Sequence, residues 1–134
     1  MAKLISIEGI GDKYVEKLSS AGVKTVSDLL KLGATPAGRK DLEAKTGIRH
    51  DLLLEWVNHA DLYRISGIGE EFSDLLEEAG VDTVVELSKR NPANLYAALV
   101  ETNKTKKLVR RMPSKEQVEQ WIEQAKALPR VISY

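Results

Sequence analysis

The chain has 134 residues, 43% hydrophobic and 30% charged, with 20 basic and 20 acidic side chains and no cysteine. This suits one ordinary domain or two very small ones, and it excludes disulfide staples, a thiolate metal site and a global positive field that would draw in a polyanion. No run of about 18 apolar residues occurs, and the first residues lack a basic segment followed by an apolar one, so the expectation is a cytoplasmic protein with no membrane partner.

The sequence repeats itself, and a repeat decides architecture before any single residue does. Ile7-Glu8-Gly9-Ile10-Gly11 returns as Ile65-Ser66-Gly67-Ile68-Gly69 at a shift of 58. At the same shift Leu18, Ala21, Gly22, Val23, Thr25, Val26 and Leu29 become Leu76, Ala79, Gly80, Val81, Thr83, Val84 and Leu87. Thr35-Pro36 answers Asn91-Pro92 at a shift of 56, and Leu53, Trp56, Val57 and Ala60 answer Val118, Trp121, Ile122 and Ala125 at a shift of 65. The net nine-residue insertion falls between Pro92 and Pro113, where residues 102–107 read as a polar, partly irregular segment.

Taken in chain order, each half reads as helices. Tyr14, Leu18 and Ala21, and then Phe72, Leu75, Leu76 and Ala79, have the three-and-four spacing of one buried helix face. Gly22 and Gly80 stop these helices, and Thr25 and Thr83 cap the next short ones, which bury Val26 with Leu29 and Val84 with Leu87. Thr35 before Pro36 and Asn91 before Pro92 place a cap and then a proline at the first helical position. Ser114 with Gln117 forms a capping box ahead of the stripe Val118, Trp121, Ile122, Ala125. Strand-like alternation is confined to the ends, Leu4-Ile5-Ser6-Ile7 and Val131-Ile132-Ser133-Tyr134, which allow a short mutual pairing but do not require it.

An apolar-x-Gly-apolar-Gly turn between helices directs backbone amides outward, where they suit a phosphate. The stretch from Asp61-Leu62-Tyr63-Arg64-Ile65-Ser66-Gly67-Ile68-Gly69 to Ala79-Gly80-Val81-Asp82-Thr83-Val84 resembles the helix-hairpin-helix element of DNA repair and recombination proteins, as does its counterpart in the first half. The Ala-Gly-Val-x-Thr-Val signature is similar to the amino-terminal domain of strand-exchange recombinases and the carboxy-terminal domain of the RNA polymerase alpha subunit. Over nearly its whole length, including Trp56-Val57-Asn58 and Val109-Arg110-Arg111, the chain resembles a bacterial family of unknown function. The implied fold is all-α, with two pseudo-symmetric helix-hairpin-helix repeats packed as one compact domain. Repeat 1 spans 1–61 and repeat 2 spans 62–134. Only a few residues precede the first hairpin, so the helix bearing Trp121 is expected to complete repeat 1, packing beside Gly9 to Gly11 as the Trp56 helix packs beside Gly67 to Gly69.

The resemblance implies non-specific contact with the nucleic-acid backbone, paired hairpins holding phosphates without reading bases. Charge divides the two hairpins. Residues 70–86 hold Glu70, Glu71, Asp74, Glu77, Glu78, Asp82 and Glu86 with no base, whereas the first hairpin has Asp12 and Lys13 at the equivalent place. The strongest basic run, at 102–115, holds Lys104, Lys106, Lys107, Arg110, Arg111 and Lys115 and no acid. The expected contacts are therefore Gly9, Ile10, Gly11 and Lys13, with Gly67 and Gly69, and the six basic residues. The alternative is a protein-interaction adaptor that binds no nucleic acid, its acidic or basic run docking an oppositely charged partner or a second copy.

Trp56 and Trp121, at equivalent places in apolar stripes, are core anchors rather than base-stacking platforms. His50 and His59 lack ligand spacing, His59 pairing with Glu55 at the surface, so no metal or other cofactor is expected. No nucleophile–base set and no Gly-Lys-Ser/Thr loop occurs, and the chain is not expected to be an enzyme.

Overall fold

A computed structural model describes residues 3–7 and 9–134, leaving Glu8 of the first glycine motif outside the described residues. Eight α-helices follow a short 3₁₀ turn, Leu4–Ser6, and no strand occurs among the described residues. They are α1 (Asp12–Ser20), α2 (Val26–Leu32), α3 (Pro36–Thr46), α4 (His50–Leu62), α5 (Glu70–Glu78), α6 (Val84–Ser88), α7 (Pro92–Lys106) and α8 (Lys115–Ala127). The chain forms two compact units, Met1–Asp61 with Val131–Tyr134, and Leu62–Arg130.

The predicted start and stop signals act as their chemistry requires. Thr25 accepts from the Asp28 amide while Asp28 accepts from the Thr25 amide, and Ser114 and Gln117 form the same reciprocal box on α8. Thr35, Thr83 and Asn91 accept from the amides of Gly38, Glu86 and Asn94. Helices α1 and α5 both end in a Schellman arrangement: Val23 N–H donates to Leu18 O and Gly22 N–H to Ser19 O, repeated by Val81 to Leu76 and Gly80 to Glu77. All four apolar residues of these locks are buried.

Each unit opens with the same double turn. Ile7 N–H donates to Leu4 O and Ile10 N–H to Ile7 O, and in the second unit Ile65 donates to Leu62 and Ile68 to Ile65. Three-residue spacing stacks these side chains on one side, and all six are buried. Between the second and third of each trio the backbone must reverse, at Gly9 (φ +93°) and Gly67 (φ +96°), a region closed to most side chains. A tryptophan then covers the glycine. A methyl group at Gly9 would lie 3.1 Å from Trp56 Nε1, and one at Gly67 would lie 3.2 Å from Trp121 Nε1. The first indole is 1% exposed and the second 2%. An aromatic ring of the following helix meets each indole: Tyr14 on Trp56 at 5.1 Å, Phe72 on Trp121 at 5.3 Å.

This corrects the expectation for the carboxy-terminal helix. Helix α8 packs on α6 and α7 and covers Gly67, so it completes the second half, and α4 brings Trp56 to Gly9 in the first. The closing helix follows its glycine turn in each half rather than preceding it. The two chain ends, which the sequence does not require to pair, make other contacts: Lys3 forms an isolated bridge with Thr25, and Ser133 N–H donates to Ala34 O at 2.8 Å. Residues 102–106 are helical, as part of α7, and the irregular stretch begins at Lys107.

Val131–Tyr134 returns to the first unit, where it meets a buried arginine. Arg39, 1% exposed, donates from Nη1 to Gly33 O (2.8 Å) and from Nη2 to Ser133 O (2.7 Å), under the ring of Tyr134. Burial draws this guanidinium below its ordinary pKa, an effect that Tyr134 opposes. The third residue after the helix-starting proline is Arg39 in the first unit and the buried Leu95 in the second. Ile132 is buried and the Tyr134 hydroxyl donates to Asn58 Oδ1 at 3.2 Å, which complete the strap.

Urea unfolding should separate the glycines by role. Gly67→Ala combines a positive φ with a close indole and is expected to cost about 1–3 kcal/mol, whereas Gly69→Ala, in open extended backbone, should cost less than about 1 kcal/mol. Arg39→Ala removes two charge-assisted hydrogen bonds and leaves a cavity, an expected loss of about 3–5 kcal/mol. Arg39→Leu, which adopts the second unit's solution, should recover at least about 1 kcal/mol of that loss in the same measurement.

Candidate nucleic-acid interface

The expected contact residues divide between the two units. Gly9, Ile10, Gly11 and Lys13 belong to the first; Gly67, Gly69 and the basic run belong to the second. Within the first unit, Gly11 is the N-cap residue of α1, in extended backbone (φ −91°, ψ −178°). No side chain caps this helix, and a Cβ at Gly11 would meet nothing within 4 Å. The first amides of α1, at Asp12 and Lys13, have no carbonyl inside the helix to bond. The dipole of α1 adds partial positive charge at the same end. Ile10 differs from its expected role in one respect: its side chain is buried, so only its backbone is available to a ligand. Lys13 is exposed beside the turn, and one turn on Lys17 lies over the Tyr14 ring at 5.9 Å.

Gly69 repeats this geometry at the start of α5, again uncapped and with nothing within 4 Å of a Cβ. The charge is opposite. Glu70 and Glu71 fill the first turn, where their negative charge favours the helix dipole, and both are exposed.

The basic run proves to be two groups. Lys104 and Lys106 lie on α7 and are paired, with Glu101 and Glu78 respectively, each at 3.8 Å. Glu78 comes from the acidic stretch, so part of the predicted patch is neutralised within the chain. Lys107, Arg110, Arg111 and Lys115 are exposed and carry no ion pair among the described residues. Their backbone is fixed by a residue that sequence reading passed over: Asn103 Oδ1 accepts from Val109 N–H (3.0 Å) and its Nδ2 donates to Val109 O (3.2 Å). The position sits inside the polar stretch read as irregular, and no spacing rule distinguishes it there. Arg39 was also missed, although the shift of 56 that aligns Pro36 with Pro92 sets it opposite Leu95.

Trp56 and Trp121 are interior residues, as their place in the stripes requires. His59, read as a surface partner of Glu55, is 3% exposed and therefore interior, because α4 buries an additional face that its spacing with Glu55 does not reveal.

These features define an all-helical protein of two small units, each closed by a tryptophan over a left-handed glycine. The chain belongs to the family described as domain of unknown function DUF4332, whose model matches residues 8–128. No curated protein and no solved structure matches the chain. Among the described residues, no helix is long and apolar enough to cross a membrane.

Proposed function

We propose that the chain is a cytoplasmic, non-enzymatic binding protein of two helix-hairpin-helix repeats, making weak, sequence-independent contact with a nucleic-acid backbone. The observation that carries this reading is the uncapped start of α1 at Gly11, open above the glycine and flanked by an exposed lysine. Backbone amides at a helix N-terminus offer a phosphate oriented hydrogen bonds and a favourable dipole. Gly9, Ile10 and Gly11 supply the turn, Lys13 the adjacent charge, and the basic residues at 104–115 a longer-range attraction. Gly67 and Gly69 repeat the backbone geometry, but Glu70 and Glu71 repel a phosphate there. That repulsion favours one second reading, an adaptor whose acidic helix α5 docks a basic protein.

Fluorescence anisotropy of labelled duplex and single-stranded DNA tests the proposal. Micromolar affinity at about 50 mM salt should fall about a hundredfold at 200 mM if about four phosphates are contacted. Absence of binding at the lower salt overturns the reading and favours the adaptor. Gly11→Asp gives a sharper contrast, because a carboxylate cap occupies the amides. The variant should gain a few tenths of a kcal/mol in stability while losing DNA binding, and retained binding would remove the turn from the interface.

A further inference from the structure

We propose that the loop Lys107–Lys115 is a preformed cationic contact for the phosphate backbone and that Asn103 is its positioning residue. This rests on the nucleic-acid reading and adds a contact that the glycine turns do not supply, since the loop belongs to the insertion peculiar to the second half.

The loop alternates anchors with cations. Val109 and Pro113 are buried, and Leu108 and Met112 are half-buried against the same core. Between them Lys107, Arg110 and Arg111 face solvent, followed by Lys115 in the first turn of α8. Both ends are tied. Asn103 holds Val109 by two hydrogen bonds, and Ser114 and Gln117 lock the start of α8. Guanidinium and ammonium groups on a fixed backbone lose less freedom on binding than the same groups on a mobile tail.

The helix end ahead of the loop is a second sign. Helix α3 terminates at Gly47 in the left-handed conformation (φ +74°), as helices commonly do. Helix α7 terminates at Lys107 in that conformation (φ +50°), the single non-glycine residue among those described with positive φ. A lysine held where glycine fits more easily places an extra cation at the base of the loop.

The partner follows from what surrounds the cations. The exposed large hydrophobic residues among those described are Ile5, Leu32, Val131 and Tyr134, and all belong to the first unit. The second unit thus offers charge without an apolar centre. Protein interfaces deplete charge at their core and enrich aromatic residues there, whereas a phosphate backbone is bound by exposed Lys and Arg alone.

The test compares the intact chain with Asn103→Ala, Arg110→Ala/Arg111→Ala and the triple variant, in duplex binding at several salt concentrations with thermal unfolding alongside. Removing both arginines should lower the salt slope by about 1.8, at about 0.9 per phosphate contact. Asn103→Ala should weaken binding about threefold to tenfold, through the loop freedom lost on binding. The triple variant should lose less relative to the double than Asn103→Ala loses relative to the intact chain, because Asn103 acts mainly through the two arginines that flank its Val109 anchor. Additive losses, or an Asn103→Ala variant that binds as tightly as the intact chain, would overturn the positioning role while leaving the nucleic-acid reading in place. Failure of the intact chain to bind duplex, or binding to polyglutamate alone, overturns both. If Asn103→Ala does not fold, amide NMR of the intact chain replaces it: DNA-induced shifts should appear at 103–115 as well as at the start of α1, and shifts absent from 103–115 overturn the loop contact.

Discussion

Each unit depends on an indole lying against the α-carbon of a glycine that has turned its backbone left-handed. The turn stacks three apolar residues inward, and the glycine between the second and third leaves no side chain at the point where the ring must pass. Remove that space and the tryptophan helix is displaced from the turn. Replace the indole with a smaller side chain and the trio loses its cover. The fixed turn in turn aims α1 and α5, so the geometry of the helix starts follows from a packing constraint several ångströms below them.

The same frame carries different chemistry in its two copies. At the helix starts, Asp12 and Lys13 stand where Glu70 and Glu71 stand in the second unit. In the interior, Arg39 occupies the place of Leu95, and at the end of the third helix Lys107 has the left-handed role of Gly47. The repeated features are those of turning and packing; the divergent ones lie at exposed helix ends or at the buried Arg39. This separation explains how a chain of zero net charge can present strongly acidic and strongly basic segments without disturbing its fold.

Much of the local structure was legible because its signals are local. Thr25, Thr35, Thr83, Asn91 and Ser114 cap whichever helix follows them, and Gly22 and Gly80 end the helices before them, irrespective of tertiary context. The pairing of tryptophan to glycine was not legible. Trp56 and Trp121 are equivalent in the repeat, so composition and spacing are silent on which turn each covers; only chain path decides. Charge also misled where it was read without geometry. Lys104 and Lys106 appeared to face no acid because their partners are a turn away or distant in sequence, and the buried Arg39, received by carbonyl oxygens, carried no signal that drew notice. The amide site at Gly11 was visible as a motif, whereas the loop fixed by Asn103 depends on a side-chain contact across six residues that no motif encodes.

The strap Val131–Tyr134 makes the first unit discontinuous in sequence. The second unit is continuous from Leu62 to Arg130 and lies, in sequence, between the two segments of the first. Until Ser133 arrives from 94 positions away, the Arg39 guanidinium lacks one of its two carbonyl acceptors. Closing this contact, like the one between Ser133 and Ala34, makes a loop that contains the whole sequence of the second unit. Such closure is slow compared with local helix formation, but a folded second unit shortens the free chain that must be ordered.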